Sequence, residues 1–267
     1  METMIMGFPL RDVLGFFFVY SFLGWCAEVA FHAVTQGRFV NRGFLNGPIC
    51  PIYGVGMTAI ILFLTPLKGS FFALFLGGAL LCSVLEYVTG YLMEKLFHQR
   101  WWDYSDEPFN LNGYICLSFS LVWGVAVVLI MKLVHPLIYN LLRLVPHVVG
   151  NWIVLFFLAL FVADSIATVQ SVLKFNKRLR LIDEIARKIR ENSDSIGGVL
   201  SDEVLELKVK LDRAKSEGRY TEKRLMKAFP NLKNEKYDVW VTEMKEKYQK
   251  KKKVHMGRRD LENETRR

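Results

Sequence analysis

Through the first two thirds of this chain the apolar residues do not alternate with polar ones; they run together. Leu10 to Val34, Ile52 to Leu67, Phe71 to Phe97, Ile115 to Val134 and Val148 to Leu173 are each almost wholly apolar. A helix needs ~20 mostly apolar residues to cross a hydrocarbon core. Four runs meet that length easily and 52–67 is marginal. The pattern predicts an all-α fold, a polytopic membrane helix bundle of about five transmembrane helices.

After Leu173 the period changes. Val172, Phe175, Leu179, Ile182, Ala186 and Ile189 alternate spacings of three and four, which continues the last run as an amphipathic helix. "ENSDSIGG" is expected to break it. Leu200, Val204, Leu207, Leu211 and Ala214 then resume the spacing, with Ser201 as N-cap. Two seams joined by a glycine turn predict an antiparallel helical hairpin. Tyr237, Trp240, Val241, Met244 and Tyr248 form a third helical pattern running into four lysines at 250–253, and the last dozen residues have the composition of a disordered tail.

Charge divides the chain at the same place. From Lys174 onward there are 27 Lys and Arg against 17 Asp and Glu, whereas the preceding residues carry 8 against 9. We therefore expect a transmembrane domain at 1–173 and a basic helical tail at 174–267. Lys and Arg concentrate on cytoplasmic loops. Arg11, Lys68, Lys132 and Arg143 lie on one side of the spans; Arg38, Arg42, Lys95 and Arg100 lie on the other, with Lys174, Lys177, Arg178 and Arg180. This asymmetry puts the N-terminus outside and the tail in the cytoplasm. The first run has no basic n-region and no small-residue cleavage site, so it is expected to remain in the mature protein. Cys26, Cys50, Cys82 and Cys116 lack CxxC spacing and nearby paired histidines, so neither a disulfide framework nor a metal site is expected.

Three acids interrupt the apolar runs: Glu28, Glu86 and Asp164. An ionised carboxylate there is costly and normally faces a bundle interior or a watery cavity. Counted from the inner span ends at 1.5 Å per residue, Glu28 lies ~9 Å deep, Glu86 ~16 Å and Asp164 ~15 Å. They can line one inward-facing polar pocket, or each can serve as a helix-packing hydrogen bond. His32 follows Glu28 by four residues, and Thr168 follows Asp164 likewise. Glu94 shares a broad face with Glu86 nearer the interface. Two connecting stretches on the same side are unusual. "NRGFLNGPICPIYGVG" (41–56) holds four glycines and two prolines, which suits either a rigid corner or a re-entrant segment. "RWWDYSDEPFN" (100–110) offers Trp102, Asp103, Tyr104 and Asn110 beside the aromatic anchor Trp101.

"YSFLGWCAE", "GFLNGPICPIYGVG" and "LEYVTGYLMEKLFHQRWWDYSDEPFNLNGYICLSFSLVWG", in that order, resemble the family of bacterial integral membrane proteins labelled putative ABC-transporter type IV. The resemblance covers about Leu14 to Thr168. It implies a bacterial plasma-membrane protein, and places Trp25, Glu28, Gly47, Pro48, Pro51, Tyr53, Gly54, Glu86, Glu94, Trp102, Asp103, Tyr104, Asn110 and Gly113 on signature positions. At 114 this chain has Tyr where the family usually carries Arg.

The sequence contains no "GxxxxGK[ST]" phosphate loop, so a transporter built on it needs a separate ATP-binding subunit. No cofactor motif and no nucleophile beside a base is present. Three readings follow. The first is a permease-like component with an inward-facing acidic cavity, whose carboxylates favour a cation or a proton. The second is a non-catalytic scaffold or sensor whose basic tail meets anionic lipid, a partner or another copy. The third is an interfacial enzyme using Asp103, Asp106 and Glu107. Nucleic acid is disfavoured, because interspersed acids break any phosphate-binding stripe.

Overall fold

The computed structural model describes residues 3–195, 202–216 and 220–247. The end of "ENSDSIGG", Leu200, the Ser201 cap, Tyr248, the lysine run and the final dozen residues lie outside them. A short hairpin, β1 (Met4–Ile5) with β2 (Phe8–Pro9), leads into α1 (Leu10–Gln36). Gly37, at φ 63°, closes α1 by donating its N–H to Ala33 O, a left-handed cap that glycine adopts without penalty. Then follow α2 (Pro51–Leu64), a 3-10 turn to Leu67, and α3 (Phe71–Phe97), whose first turn is capped by the Ser70 hydroxyl accepting from Ala73 N. Next come β3 (Gln99–Arg100), β4 (Asn110–Leu111), β5 (Ile115–Cys116), α4 (Leu117–Leu129) and α5 (His135–Arg143). The last helices are α6 (His147–Ser195), α7 (Asp202–Ser216) and α8 (Tyr220–Ala228). β6 (Lys233–Asn234) and a helical stretch at 238–247 end the described chain.

Among the described residues four helices are long and apolar enough to cross a membrane: Leu10–Gln36, Phe71–Phe97, Leu117–Arg143 and His147–Glu191. The protein is an all-α, multi-pass membrane helix bundle. The third of these is α4 and α5 run together through a π-helical turn at Ile130–Val134. Pro136 follows after His135 and has no N–H to give the ladder, so the helix widens there without breaking. The run at 52–67 forms a shorter helix, bounded by Pro51 at its first turn and Pro66 in the 3-10 turn. Its fourteen α-helical residues rise ~21 Å, less than the ~30 Å core.

That short helix is the best-buried part of the bundle. Met57, Ile60, Ile61 and Leu64 pack against Phe16 and Tyr20 of α1, Leu74 of α3, and Val127, Val128 and Met131. Glycines set the crossings. A side chain at Gly54 would strike Ser21 and the Phe17 carbonyl, and one at Gly24 would strike the Tyr53 ring, so α1 and α2 touch backbone to side chain. Gly78 lies against Val127, and Gly124 against Phe75, in the same way for α3 and α4. In a bilayer, where tails are as apolar as leucine, such close approach is what holds helices together. By contrast α6 turns Trp152, Phe156 and Leu160 outward.

A second cluster forms where α6 leaves the apolar zone. Val172, Phe175, Leu179 and Ile182 pack with Phe97 at the end of α3 and Trp101 just after β3, and with Leu225, Met226, Leu232, Val241 and Met244. α7 packs along α6, with Leu211 and Ala214 at the margin of this cluster. The seam on α6 is therefore shared: the sequence suggests a two-helix hairpin, and the structure adds α8 and residues 238–247 as further partners.

Candidate functional site

Glu28 and Glu86 flank one pair of tyrosines, Tyr53 and Tyr104, toward the end of the bundle that carries residues 41–50 and 98–113. From α1, Glu28 accepts from the Tyr53 hydroxyl at 2.6 Å and faces Arg42 Nε at 3.4 Å. From α3, Glu86 accepts from the Tyr104 hydroxyl at 3.2 Å. The Tyr53 ring meets Trp123 edge to face at 5.8 Å, and the Trp123 side chain reaches Glu86. Both carboxylates are close enough to act electrostatically on both tyrosine hydroxyls. Burial first, and Glu86 second, hold the Tyr104 hydroxyl above its usual range, so it stays a donor. His32, one turn beyond Glu28, is buried and its Nε2 has no partner among the described residues.

Asp164 has a different setting. Its Oδ2 accepts from Gly47 N at 2.7 Å, and its Oδ1 from Asn46 N at 3.2 Å and Asn46 Nδ2 at 2.9 Å. Thr168 joins through Asn46 Nδ2 at 3.0 Å. The carboxylate serves as a ready-made acceptor for backbone N–H groups left open by "LNGP", where Pro48 cannot continue a ladder. Within the same loop Asn41 caps Gly43 N, accepts from Trp25 Nε1 at 2.8 Å and donates to Asn46 O. Pro51 starts α2, and Gly54 gives it room beside α1.

The aromatic loop is tied down as firmly. Trp102 donates to Tyr114 O at 2.9 Å and lies with the Tyr114 ring over Gly90, where a side chain would collide with both. Asn110 donates to Ser105 O and Glu107 O and accepts from Gly113 N, closing the turn. Arg100 binds Glu94 at 2.9 Å, faces Asp103 at 3.3 Å and stacks over Tyr114 at 5.0 Å, while the Tyr114 hydroxyl donates to Glu94 at 2.9 Å. Asp103 accepts from Ser105 and, at 2.8 Å, from Lys233. Partial burial raises its carboxyl, but Lys233 and Ser105 outweigh that and hold it well below the usual range. Asp106 and Glu107 are exposed, and no group of three or more His, Cys, Asp or Glu gathers as a metal site among the described residues.

The segment 220–247 covers both loops. β6 pairs antiparallel with β3, Asn234 opposite Gln99 and Lys233 opposite Arg100. Buried Arg224 donates to Gly43 O at 2.6 Å and Phe44 O at 2.7 Å, and Thr221 donates to Asn46 Oδ1 at 3.2 Å. Arg42 reaches the other way, donating to Ala228 O at the end of α8 with its guanidinium over the Phe229 ring. Phe229 in turn meets Trp101 edge to face at 5.0 Å. Under this cover Arg178 and Glu222 form a buried ion pair at 2.7 Å. A cavity lined by Gln99, Glu222, Val172, Phe175 and Leu225 has room for about one water.

Arg42, Asn46, Arg224 and Lys233 are central to this arrangement, and sequence reasoning passed over them. Arg42 carried a signal, a cation just past the span that holds Glu28. Arg224 and Lys233 carried none, being two cations among many in a basic tail.

The chain matches no curated protein and no solved structure. A family model described as Putative ABC-transporter type IV matches residues 15–169, well over half of the chain. That interval runs from α1 through Asp164 and Thr168, and includes both loops and both carboxylates. The chain belongs to the putative ABC-transporter type IV family.

Proposed function

We propose that the chain is the membrane-embedded, permease-like component of a transport system, and that Glu28 and Glu86 line its solute path. The observation that carries this reading is their convergence. Two carboxylates from separate helices flank one pair of tyrosines, each accepting from one of the two hydroxyls and acting electrostatically on both. Ionisable groups at membrane depth are expensive and are retained where they do work. A carboxylate has about four acceptor sites, and Tyr53 with Arg42 on Glu28, and Tyr104 with Trp123 on Glu86, fill only part of that capacity. The remainder suits a cation or a proton. By the Lys and Arg asymmetry the loop end faces the cytoplasm of a bacterial cell, so the pair is reached from inside. The energy source is a separate ATP-binding subunit, since the sequence holds no phosphate loop. Asp164, saturated by the Asn46 and Gly47 amides, shapes the rim in this scheme and does not meet solute.

The test is flux in reconstituted vesicles, with any copurifying ATP-binding subunit included and with protons and monovalent cations as probes. Glu86→Gln keeps the shape and removes the charge, and should lower flux about tenfold or more, the equivalent of ~1.4 kcal/mol. Wild-type flux from that variant removes Glu86 from the path. The scaffold reading draws on the docked tail; it gains ground if neither protein gives flux and a partner protein copurifies through residues 220–247.

A further inference from the structure

We infer that the segment 220–235 is a lid latched to the carboxylate pair, so that neutralising Glu28 loosens its hold on the loop end. The geometry lies in one side chain. Arg42 places Nε at Glu28 Oε2 and Nη1 at Ala228 O, with its guanidinium against Phe229. A single planar cation thus joins an acid inside the bundle to the C-terminal carbonyls of α8. The end of a helix carries unpaired carbonyls with partial negative charge, which a guanidinium satisfies well. Phe229, the residue after α8, then passes the contact to Trp101. A second thread runs parallel. Tyr104 donates to Glu86, and its neighbour Asp103 holds Lys233 of β6. Each carboxylate is therefore at most a few bonds from a point where the lid is fastened.

Arg42 cannot be indifferent to Glu28. With Glu28 ionised, the carboxylate fixes the fork of the guanidinium so that its far nitrogen meets Ala228 O. When a proton or a cation takes the Glu28 charge, that restraint is gone and a long flexible side chain holds the Ala228 end of α8 without it. Arg224 keeps α8 anchored to Gly43 and Phe44 meanwhile, so the lid loosens at its Ala228–Leu232 end first. The device takes from the proposed function only that Glu28 changes charge as the protein works.

Amide hydrogen exchange of the full-length protein in lipid nanodiscs reads the lid directly and needs no transport. Glu28→Gln and Arg42→Ala should each speed exchange of residues 225–235 by about threefold to tenfold, the scale of one partly exposed charge-assisted bond. The double variant should be no faster than Arg42→Ala alone, because both changes break one chain of contacts. Exchange over residues 57–64 of α2, in the other hydrophobic cluster, serves as the folding control and should stay at the wild-type rate. Additive effects in the double variant, or an unchanged lid in Glu28→Gln, would overturn the latch. Since flux is not measured, a failed latch leaves the Glu86 flux test standing, and a failed flux test leaves the latch standing.

Discussion

The two hydrophobic clusters of this protein are built on opposite plans. The cluster around Phe16, Ile60, Ile61 and Met131 owes its density to absent side chains, with Gly24 and Gly54 joining α1 to α2 and Gly78 and Gly124 joining α3 to α4. The cluster around Trp101, Leu179, Leu232 and Met244 has large side chains at its centre and guanidinium and carboxylate groups around it, with Arg224, Arg178 and Glu222 all largely buried. Lipid surrounds the first, so burying leucine gains little there and shape complementarity must carry the packing. Where water surrounds the second, apolar burial contributes directly. Position there is fixed by charged donors on backbone carbonyls. The lesson is that one chain uses steric fit where the solvent is hydrocarbon and aimed polar bonds where its C-terminal segment docks on the loops.

The sharpest way to break that contrast is to spoil each region by its own logic. Gly54→Leu pushes a side chain into the Ser21 hydroxyl and the Phe17 carbonyl, the second a backbone group that cannot swing aside. We expect a cost above the ~1–3 kcal/mol of ordinary overpacking, seen as loss of monodisperse protein in detergent. Arg224→Met keeps bulk and removes the donors to Gly43 and Phe44, leaving two carbonyls without them. It should destabilise the docked segment by ~2–3 kcal/mol, read as faster exchange over residues 220–235, with α1 to α4 unaffected. Least costly is Lys233→Met. Lys233 is more than half exposed, and such pairs contribute ~0–1 kcal/mol.

The Lys233–Asp103 pair also has a defined pH window. The Asp103 carboxyl is depressed in the folded chain, so its contribution is present above its ordinary value near 3.8 and is lost as pH falls through the lower folded value. Lys233 is raised by Asp103, so its contribution is complete below its ordinary value near 10.5 and is lost as pH rises past the folded value. The Lys233–Asp103 contribution to β6 docking should be flat between about pH 5 and 9 and weaken only beyond those limits. A slope near neutrality would assign the docking to another group.

Much of the bundle was legible because lipid imposes a coarse rule: long uninterrupted apolar runs become helices. The intramembrane acids stood out for the same reason. What lies between helices was not legible. Nothing in the period of "YTEKRLMKAFP" says that Arg224 turns inward while Lys227 does not, because a nine-residue helix is too short for its face to be read. Asp164 was grouped with Glu28 and Glu86 by depth alone, whereas its partner is a pair of backbone amides that "LNGP" leaves unpaired, a relation between segments 117 positions apart. Nor does the pattern announce the π turn before His135, which brings that ring within 3.1 Å of the Tyr20 hydroxyl.

The bond from Arg224 to Gly43 spans 181 positions, and so bears on the order in which the molecule is assembled. A ribosome delivers α1 and its glycine-rich loop first and α8 among the last described elements. Closing so long a loop adds only a logarithmic entropy cost, but contacts of this range form late. During that interval the carbonyls of Gly43 and Phe44 and the face of Trp101 stand open on a bundle already seated in its membrane. The nascent protein therefore passes through a stage with an uncovered loop end, and completion of its C-terminal third is the step that ends it.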